Sequence, residues 1–254
     1  MPAAAQPVDP DAAVLSDREL VDAISAGDHR AFGVLMRRYN RLLYRTARSI
    51  LKDEADAEDA LQNAYLLAYR GIGRFRGESG LSTWLVRVVI NEALGYLRKR
   101  SRSAHVVNLD GPELDAAIEA EADAGFDKGE RPEDELMRAD ARQLIQAGVD
   151  ELPLAYRAVF VLRALEELSV TETAAALQIP EATVRTRFFR ARARLRESLS
   201  VDTAGALDLA FPFAGARCDG IVARVMAILS ADSPVHTAHT AAGERPRAGL
   251  HPTD

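Results

Sequence analysis

Six arginines and no acidic residue fall between Arg185 and Arg196, in a chain whose net charge is -6. A guanidinium can bond two guanine acceptors at once or bridge a phosphate, and each good base contact is worth about 1–3 kcal/mol of discrimination. This density of positive charge points to nucleic acid rather than to bond-making chemistry. Catalytic signatures are missing: the sequence holds no P-loop, no G-x-S-x-G elbow and no H-E-x-x-H pair. Cys218, His236 and His239 could be imagined as metal ligands, but no second close-spaced ligand pair accompanies them, so the histidines read as part of a polar tail. The expectation is a chain that is not an enzyme and carries no metal or cofactor.

The element that must position these arginines is SVTETAAALQIPEATVRTRFFRARARLRESL. Ser169 and Glu172 form a capping box that opens a helix of about two turns ending at Leu177. A turn at Gln178 and Ile179 follows, and Pro180 starts a longer helix with Val184, Phe188, Ala191 and Leu195 at core-facing spacing. Short helix, turn and longer basic helix is the layout that lets the second helix enter a major groove. Arg185, Thr186, Phe189 and Arg190 lie on its outer face near the start, where bases are read. Arg192, Arg194 and Arg196 lie further along, nearer phosphate or a protein partner. A solvated Arg/Ala helix is the competing reading of the same pattern.

Upstream elements are helical as well. Ser16 and Glu19 form a first capping box, Gly27 closes that short helix, and Asp28 caps the next. Phe32, Leu35, Met36, Tyr39, Leu42, Leu43, Ala47 and Ile50 then make an apolar stripe, with Arg37, Arg38, Arg41, Arg45 and Arg48 on the other face. A third helix starts near Asp53, with acids in its first turns as the helix dipole favours. GIGRFRGESG reads as a loop. LSTWLVRVVINEALGYLRKRSR reads as a fourth helix ending in a basic run.

Three motifs in one order carry a family resemblance. ELPLAYRAVFVLRALEELSVTETAAALQIPEATVRTRFFRARARLRESL resembles region 4 of the extracytoplasmic-function group of sigma-70-type sigma factors. DAEDALQNAYLLAY resembles the group's region 2 helix that binds core polymerase, and STWLVRVVINEALGYLRKRSR the stretch that engages and melts the minus-10 element. The resemblance implies an all-α chain in two helical domains. It divides as follows: a disordered N-terminus at 1–15, a region 2-like domain at 16–102 and an acidic linker at 103–132. A region 4-like domain at 133–199 and a C-terminal extension at 200–254 complete it. Between Ala104 and Glu135 eleven acids face only Lys128 and Arg131, which explains a negative net charge on a nucleic-acid binder.

Carried over residue by residue, the resemblance assigns Asp56, Glu58, Asp59, Leu61 and Gln62 to docking on core RNA polymerase. It assigns Trp84, Asn91, Arg98 and Arg100 to the minus-10 element, with Asn91 in a loop after Trp84's helix, holding a flipped base. Lys99 and Arg102 join the phosphate contacts. Arg185, Thr186, Arg187, Phe189 and Arg190 become the minus-35 set. Three positions depart from the family pattern: Gly95 stands where Asp is common, Ala182 where Gly is common, and Gln178 replaces a turn glycine, which calls for a strained backbone. The implied partners are core RNA polymerase and promoter DNA, with an anti-sigma factor as a further candidate.

An operator-binding helix-turn-helix regulator acting without polymerase is the alternative function. An interaction protein built on Phe211, Phe213, Ile221, Val225 and Ile228 is a third, better read as an added role for the tail. The single cysteine gives no internal disulfide, and no stretch reaches the roughly 18 apolar residues of a membrane span. A cytoplasmic protein without membrane insertion is expected.

Overall fold

The computed structural model describes residues 15–100, 137–198 and 211–232. The whole acidic linker, His236, His239 and Arg102 lie outside the described residues. Within them every regular element is helical.

Helix α1 (Asp17–Ser25) opens on the expected capping box: the Ser16 amide donates to Glu19 Oε2 at 2.7 Å and the Glu19 amide to Ser16 Oγ at 3.3 Å. Just before it, the Leu15 carbonyl accepts from Arg38 at 2.5 Å. Helix α2 (His29–Leu51) is capped by Asp28, whose carboxylate accepts from the Arg30 and Ala31 amides. At 23 residues it is about 34 Å long and forms the spine of the molecule. Phe32, Leu35, Met36, Leu43, Tyr44 and Ala47 are buried along it. Helix α3 (Glu54–Gly71), capped by Asp53, packs Ala57, Ala60, Leu61, Ala64 and Tyr65 inward. A single 3-10 turn at Ile72–Arg74 interrupts the glycine-rich loop before helix α4 (Leu81–Arg100). Helices α2, α3 and α4 pack on one another around one core.

The second group comprises α5 (Met137–Glu151), α6 (Leu154–Phe160), α7 (Val170–Leu177) and α8 (Glu181–Ser198). Pro153 takes the cap position of α6, and Pro180, expected to start α8, immediately precedes it. The helix of Val159 and Phe160 continues through a widened π-type turn at Val161–Leu165. Ser169 and Glu172 form the second capping box, at 2.8 and 3.1 Å. Gln178 adopts φ 58°, ψ 40°, the left-handed conformation anticipated for a residue standing where glycine is usual.

The two groups are joined at a polar seam. Arg45 and Arg48, expected on the outer face of α2, are buried there instead, because the second group covers that face. Arg45 Nη1 donates to Glu166 Oε1 at 2.8 Å, with side chains 2% and 5% exposed. Arg48 makes a two-pronged pair with Asp150 at 2.8 and 2.7 Å. Arg157, also buried, donates to the Ser49 and Ile50 carbonyls in the last turn of α2 and to Leu152. Those carbonyls have no helical partner of their own, so the guanidinium satisfies groups the helix end leaves open. Burial, offset in part by Asp150, lowers the Arg157 pKa to about 10. Further along, Arg87 of α4 donates to the Ala175 carbonyl of α7 at 2.8 Å.

Helix α9 (Ala216–Asp232) ends the described chain. It packs on α2 and α3. Of the tail residues named from the sequence, Phe211, Phe213, Ile221 and Val225 are buried, joined by Val222 and Leu229, while Ile228 is only half-buried.

Candidate nucleic-acid and polymerase interfaces

The basic helix α8 presents a mixed polar and apolar outer face. Phe189 is 74% exposed, the largest exposure of any large apolar side chain described. A free aromatic face in this position suits apolar contact with a thymine methyl. Arg185 is also exposed, held by an ion pair to Glu181 one turn earlier at 2.6 Å. Glu181 in turn accepts from Thr171 of α7 at 2.7 Å, so the two helices of the unit are tied at their N-terminal ends. The hydrogen bonds from Thr171 and then Arg185 lower the Glu181 pKa. Thr186 is exposed and its hydroxyl donates to the Ala182 carbonyl at 3.0 Å. Arg190 is half-buried and reaches the Tyr156 hydroxyl at 3.4 Å.

Arg187 departs from the set. It is 2% exposed, so in this arrangement it faces the protein and not solvent. Helical phase explains the position: Arg187 lies three residues after buried Val184 and four before buried Ala191. That spacing was readable in the sequence. Beside α8 the chain forms a concavity of about 360 Å³ whose rim carries Arg163, Arg185, Arg192 and Arg196 over Val184 and Phe188. The Arg163 and Arg192 guanidinium groups sit 5.5 and 5.8 Å from the Phe188 ring. Arg163, outside the basic run, had no sequence signal for this role.

On α4, Trp84 is half-buried and packs its indole 5.6 Å from the Phe75 ring. The end of α3 at Gly71 also lies against the indole, where an added Cβ would make an ordinary contact at 3.6 Å. Asn91 is exposed and belongs to the same continuous helix as Trp84, not to a loop after it. Seven residues are almost two full turns, so the two side chains share a face. Arg98 and Arg100 are exposed at the basic end. Arg100 ion-pairs with Asp56 of α3, and the Tyr96 hydroxyl donates to the same carboxylate at 2.7 Å. That hydrogen bond raises the Tyr96 pKa.

The five docking candidates on α3 separate by phase. Leu61, assigned to docking by the resemblance, is fully buried with Ala57, Ala64 and Tyr65, so in this arrangement it supports the helix from inside. Asp59 is exposed. Glu58 and Gln62 are half-buried because α9 lies on them. Arg217 Nε donates to Glu58 Oε1 at 2.9 Å, Arg224 Nη2 to Glu58 Oε2 at 3.3 Å, and Arg224 Nε to Gln62 Oε1 at 3.1 Å. Arg217 also pairs with Glu54 at 3.2 Å and donates to Tyr44 at 2.8 Å. Burial works against the Arg217 charge, but its bonds to Glu58 and Tyr44 and the field of Glu54 raise its pKa overall. Sequence reasoning left Glu54, Tyr44, Arg217 and Arg224 unassigned. The seven-residue spacing of the two arginines was their available signal.

Among the described residues no group of His, Cys, Asp and Glu could hold a metal, and no helix is long and apolar enough to cross a membrane.

Comparison with known proteins matches this architecture. Residues 35–103 fit the family model for sigma-70 region 2 and residues 142–195 that for sigma-70 region 4. The chain is 34% identical to the RNA polymerase sigma-H factor of Pseudomonas aeruginosa over 190 residues, covering 72% of this chain and 93% of that protein. It is 35% identical to the ECF RNA polymerase sigma-E factor of Escherichia coli over 184 residues, covering 70% and 91%. The solved structure of CnrH in complex with the cytosolic domain of CnrY aligns with TM-score 0.50 and 27% identity, over 73% of this chain and 98% of that one. The chain belongs to the extracytoplasmic-function sigma factors of the sigma-70 family. Its function is that of the family, directing RNA polymerase to promoters.

Proposed function

We propose that this chain binds core RNA polymerase through the outer face of α3, reads and opens the minus-10 element with α4, and reads the minus-35 element with α8. Asp59, Glu58, Gln62 and Asp56 form the docking side of α3. On α4, Asn91 and Trp84 share one face, and Arg98 and Arg100 lie toward backbone phosphate at the basic end. Extruding a base costs a few kcal/mol, so a stacking ring beside a hydrogen-bonding amide suits the melting step. On α8, Arg185, Thr186, Phe189 and Arg190 face the major groove.

The observation that carries this reading is that Arg185 and Phe189 are both exposed near the start of α8, within a helix-turn-helix whose inner face is buried and whose first helix is capped. The chain itself makes and breaks no covalent bond in this reading; nucleotide addition belongs to the polymerase. Its place of work is the cytoplasm, where the polymerase and promoter are. An anti-sigma factor is a further partner to test, since CnrH was solved with CnrY.

The test is transcription from genomic fragments by core polymerase with and without the purified chain. Specific transcripts appearing only with the chain are expected, sharing one minus-35 and one minus-10 sequence. Duplex binding as tight without polymerase as with it, and no specific transcript, would instead favour an operator-binding regulator.

A further inference from the structure

The segment from Phe211 to Asp232 lies beyond both family-matched regions, yet it is built into the molecule at two places. The first is the α2/α3 face. The buried stripe Ile221, Val222, Val225 and Leu229 lies between two polar edges. On one edge Asp219 ion-pairs with Arg37 of α2; on the other, Arg217 and Arg224 hold Glu54, Glu58 and Gln62 of α3. Phe213 stacks on Tyr44 at 4.1 Å with the Arg217 guanidinium 4.8 Å from the tyrosine ring. The second place is the seam. The Phe211 carbonyl accepts from Arg45, and the Arg48 guanidinium sits 4.9 Å from its ring. Arg45 and Arg48 are the same residues that hold Glu166 and Asp150 of the second helical group.

Glu58 and Gln62 cannot meet a polymerase surface while α9 lies on them, because the helix and its arginines fill the space a second body would need. Nor can the closed pair of domains span a promoter. Elements named for positions 25 base pairs apart lie about 85 Å apart along B-DNA. A compact body of about 170 residues has a radius of gyration near 16 Å.

We infer that α9 is an intramolecular occupant of the polymerase-docking face, and that polymerase binds only after displacing this basic amphipathic helix. The inference rests on the docking role proposed above for α3. It also defines what can take the place of α9: a surface with paired basic groups for Glu54 and Glu58 around an apolar strip. Displacement has a second consequence, because it removes Phe211 from Arg45 and Arg48 and so loosens the seam between the two domains.

Three full-length proteins test it by affinity for core polymerase: the natural chain, R217E/R224E, and Asp59→Lys. The double substitution sets like charges against Glu54 and Glu58, and partly exposed ion pairs of this kind shift an equilibrium modestly, so about five- to tenfold tighter binding is expected. D59K, which alters α3 without touching an α9 residue, should weaken binding. If D59K weakens it while R217E/R224E leaves it unchanged, α9 is no competitor and the inference falls alone. Unchanged binding by D59K and by R217E/R224E overturns the docking role and the inference with it. Amide exchange on the natural chain supplies a readout independent of variant folding. Core polymerase should speed exchange across 216–232 by about tenfold while protecting 54–71; continued protection of 216–232 in the complex overturns the inference.

Discussion

The outer faces of α3 and α8 are both charged, both functional candidates, and treated differently by the rest of the chain. On α8 the outer residues are satisfied within the same small unit: Arg185 pairs with Glu181 one turn away, and Phe189 is left open. On α3, Glu54, Glu58 and Gln62 are satisfied by arginines more than 150 residues distant in sequence. A locally satisfied face can meet its partner without rearranging the fold. A face satisfied from afar can meet its partner only if another element leaves. Under the roles proposed above, DNA reading is prepared in the free chain and polymerase docking is held in reserve.

The seam is where this contrast is most easily broken. Glu166→Ala would strand the buried Arg45 guanidinium, and losing one member of a buried pair costs about 3–5 kcal/mol. The expected result is a large fall in the chemical-denaturation midpoint. R45M/E166L, which removes both charges, should recover most of the loss; if it does not, the pair is not the source of the effect.

A smaller effect is expected on α8. Arg185→Ala should lower minus-35 discrimination by about 1–3 kcal/mol if the contact is bidentate, with little change in thermal stability because Arg185 is exposed. Competition binding of the polymerase holoenzyme to point-mutated minus-35 elements measures it; uniform weakening on every sequence would reassign Arg185 to phosphate. Asn91→Ala should slow strand opening, followed by permanganate reactivity, more than it weakens the closed complex.

Local backbone changes come next. Gln178→Gly relieves the left-handed conformation and should stabilise the helix-turn-helix by up to about 1 kcal/mol, seen as a raised melting temperature. Ser169→Ala should cost about 1 kcal/mol through loss of the α7 cap.

The smallest effect is on pH dependence. The Ser169 hydroxyl and then its amide hold the Glu172 pKa below its ordinary value of 4.5. A carboxyl depressed in the folded state contributes stability that is present above 4.5 and lost as pH falls through the lowered value. Acid unfolding of Ser169→Ala should accordingly show a shallower loss over that window than the natural chain, measured by helicity during acid titration.

Much of the fold was legible because its causes are local. Both capping boxes, the Asp28 cap, the α2 stripe and the left-handed Gln178 depend on residues within one or two turns of each other, so the sequence displays cause and effect side by side. The recognition unit was readable for the same reason. Even the burial of Arg187 was encoded, in its phase with Val184 and Ala191, although its residue type argued for the surface. Asn91 lies in a helix and not in a loop because the apolar residues on either side of it, Val89, Ile90, Ala93 and Leu94, are buried in one continuous helical run through Leu81–Arg100.

What the sequence by itself determined is therefore the two capping boxes, the apolar stripe of α2, the recognition unit and the family to which the chain belongs, since hydrogen bonds over three or four residues and a 3.6-residue period do not need a distant partner. Tertiary structure alone decided that Arg45 and Arg48 are buried, that Glu166 and Asp150 neutralise them, and that α9 lies across Glu58 and Gln62. Those pairs join residues more than a hundred positions apart. A charged side chain looks the same in sequence whether it meets water or a counter-ion, and only the docking of one helix face on another settles which.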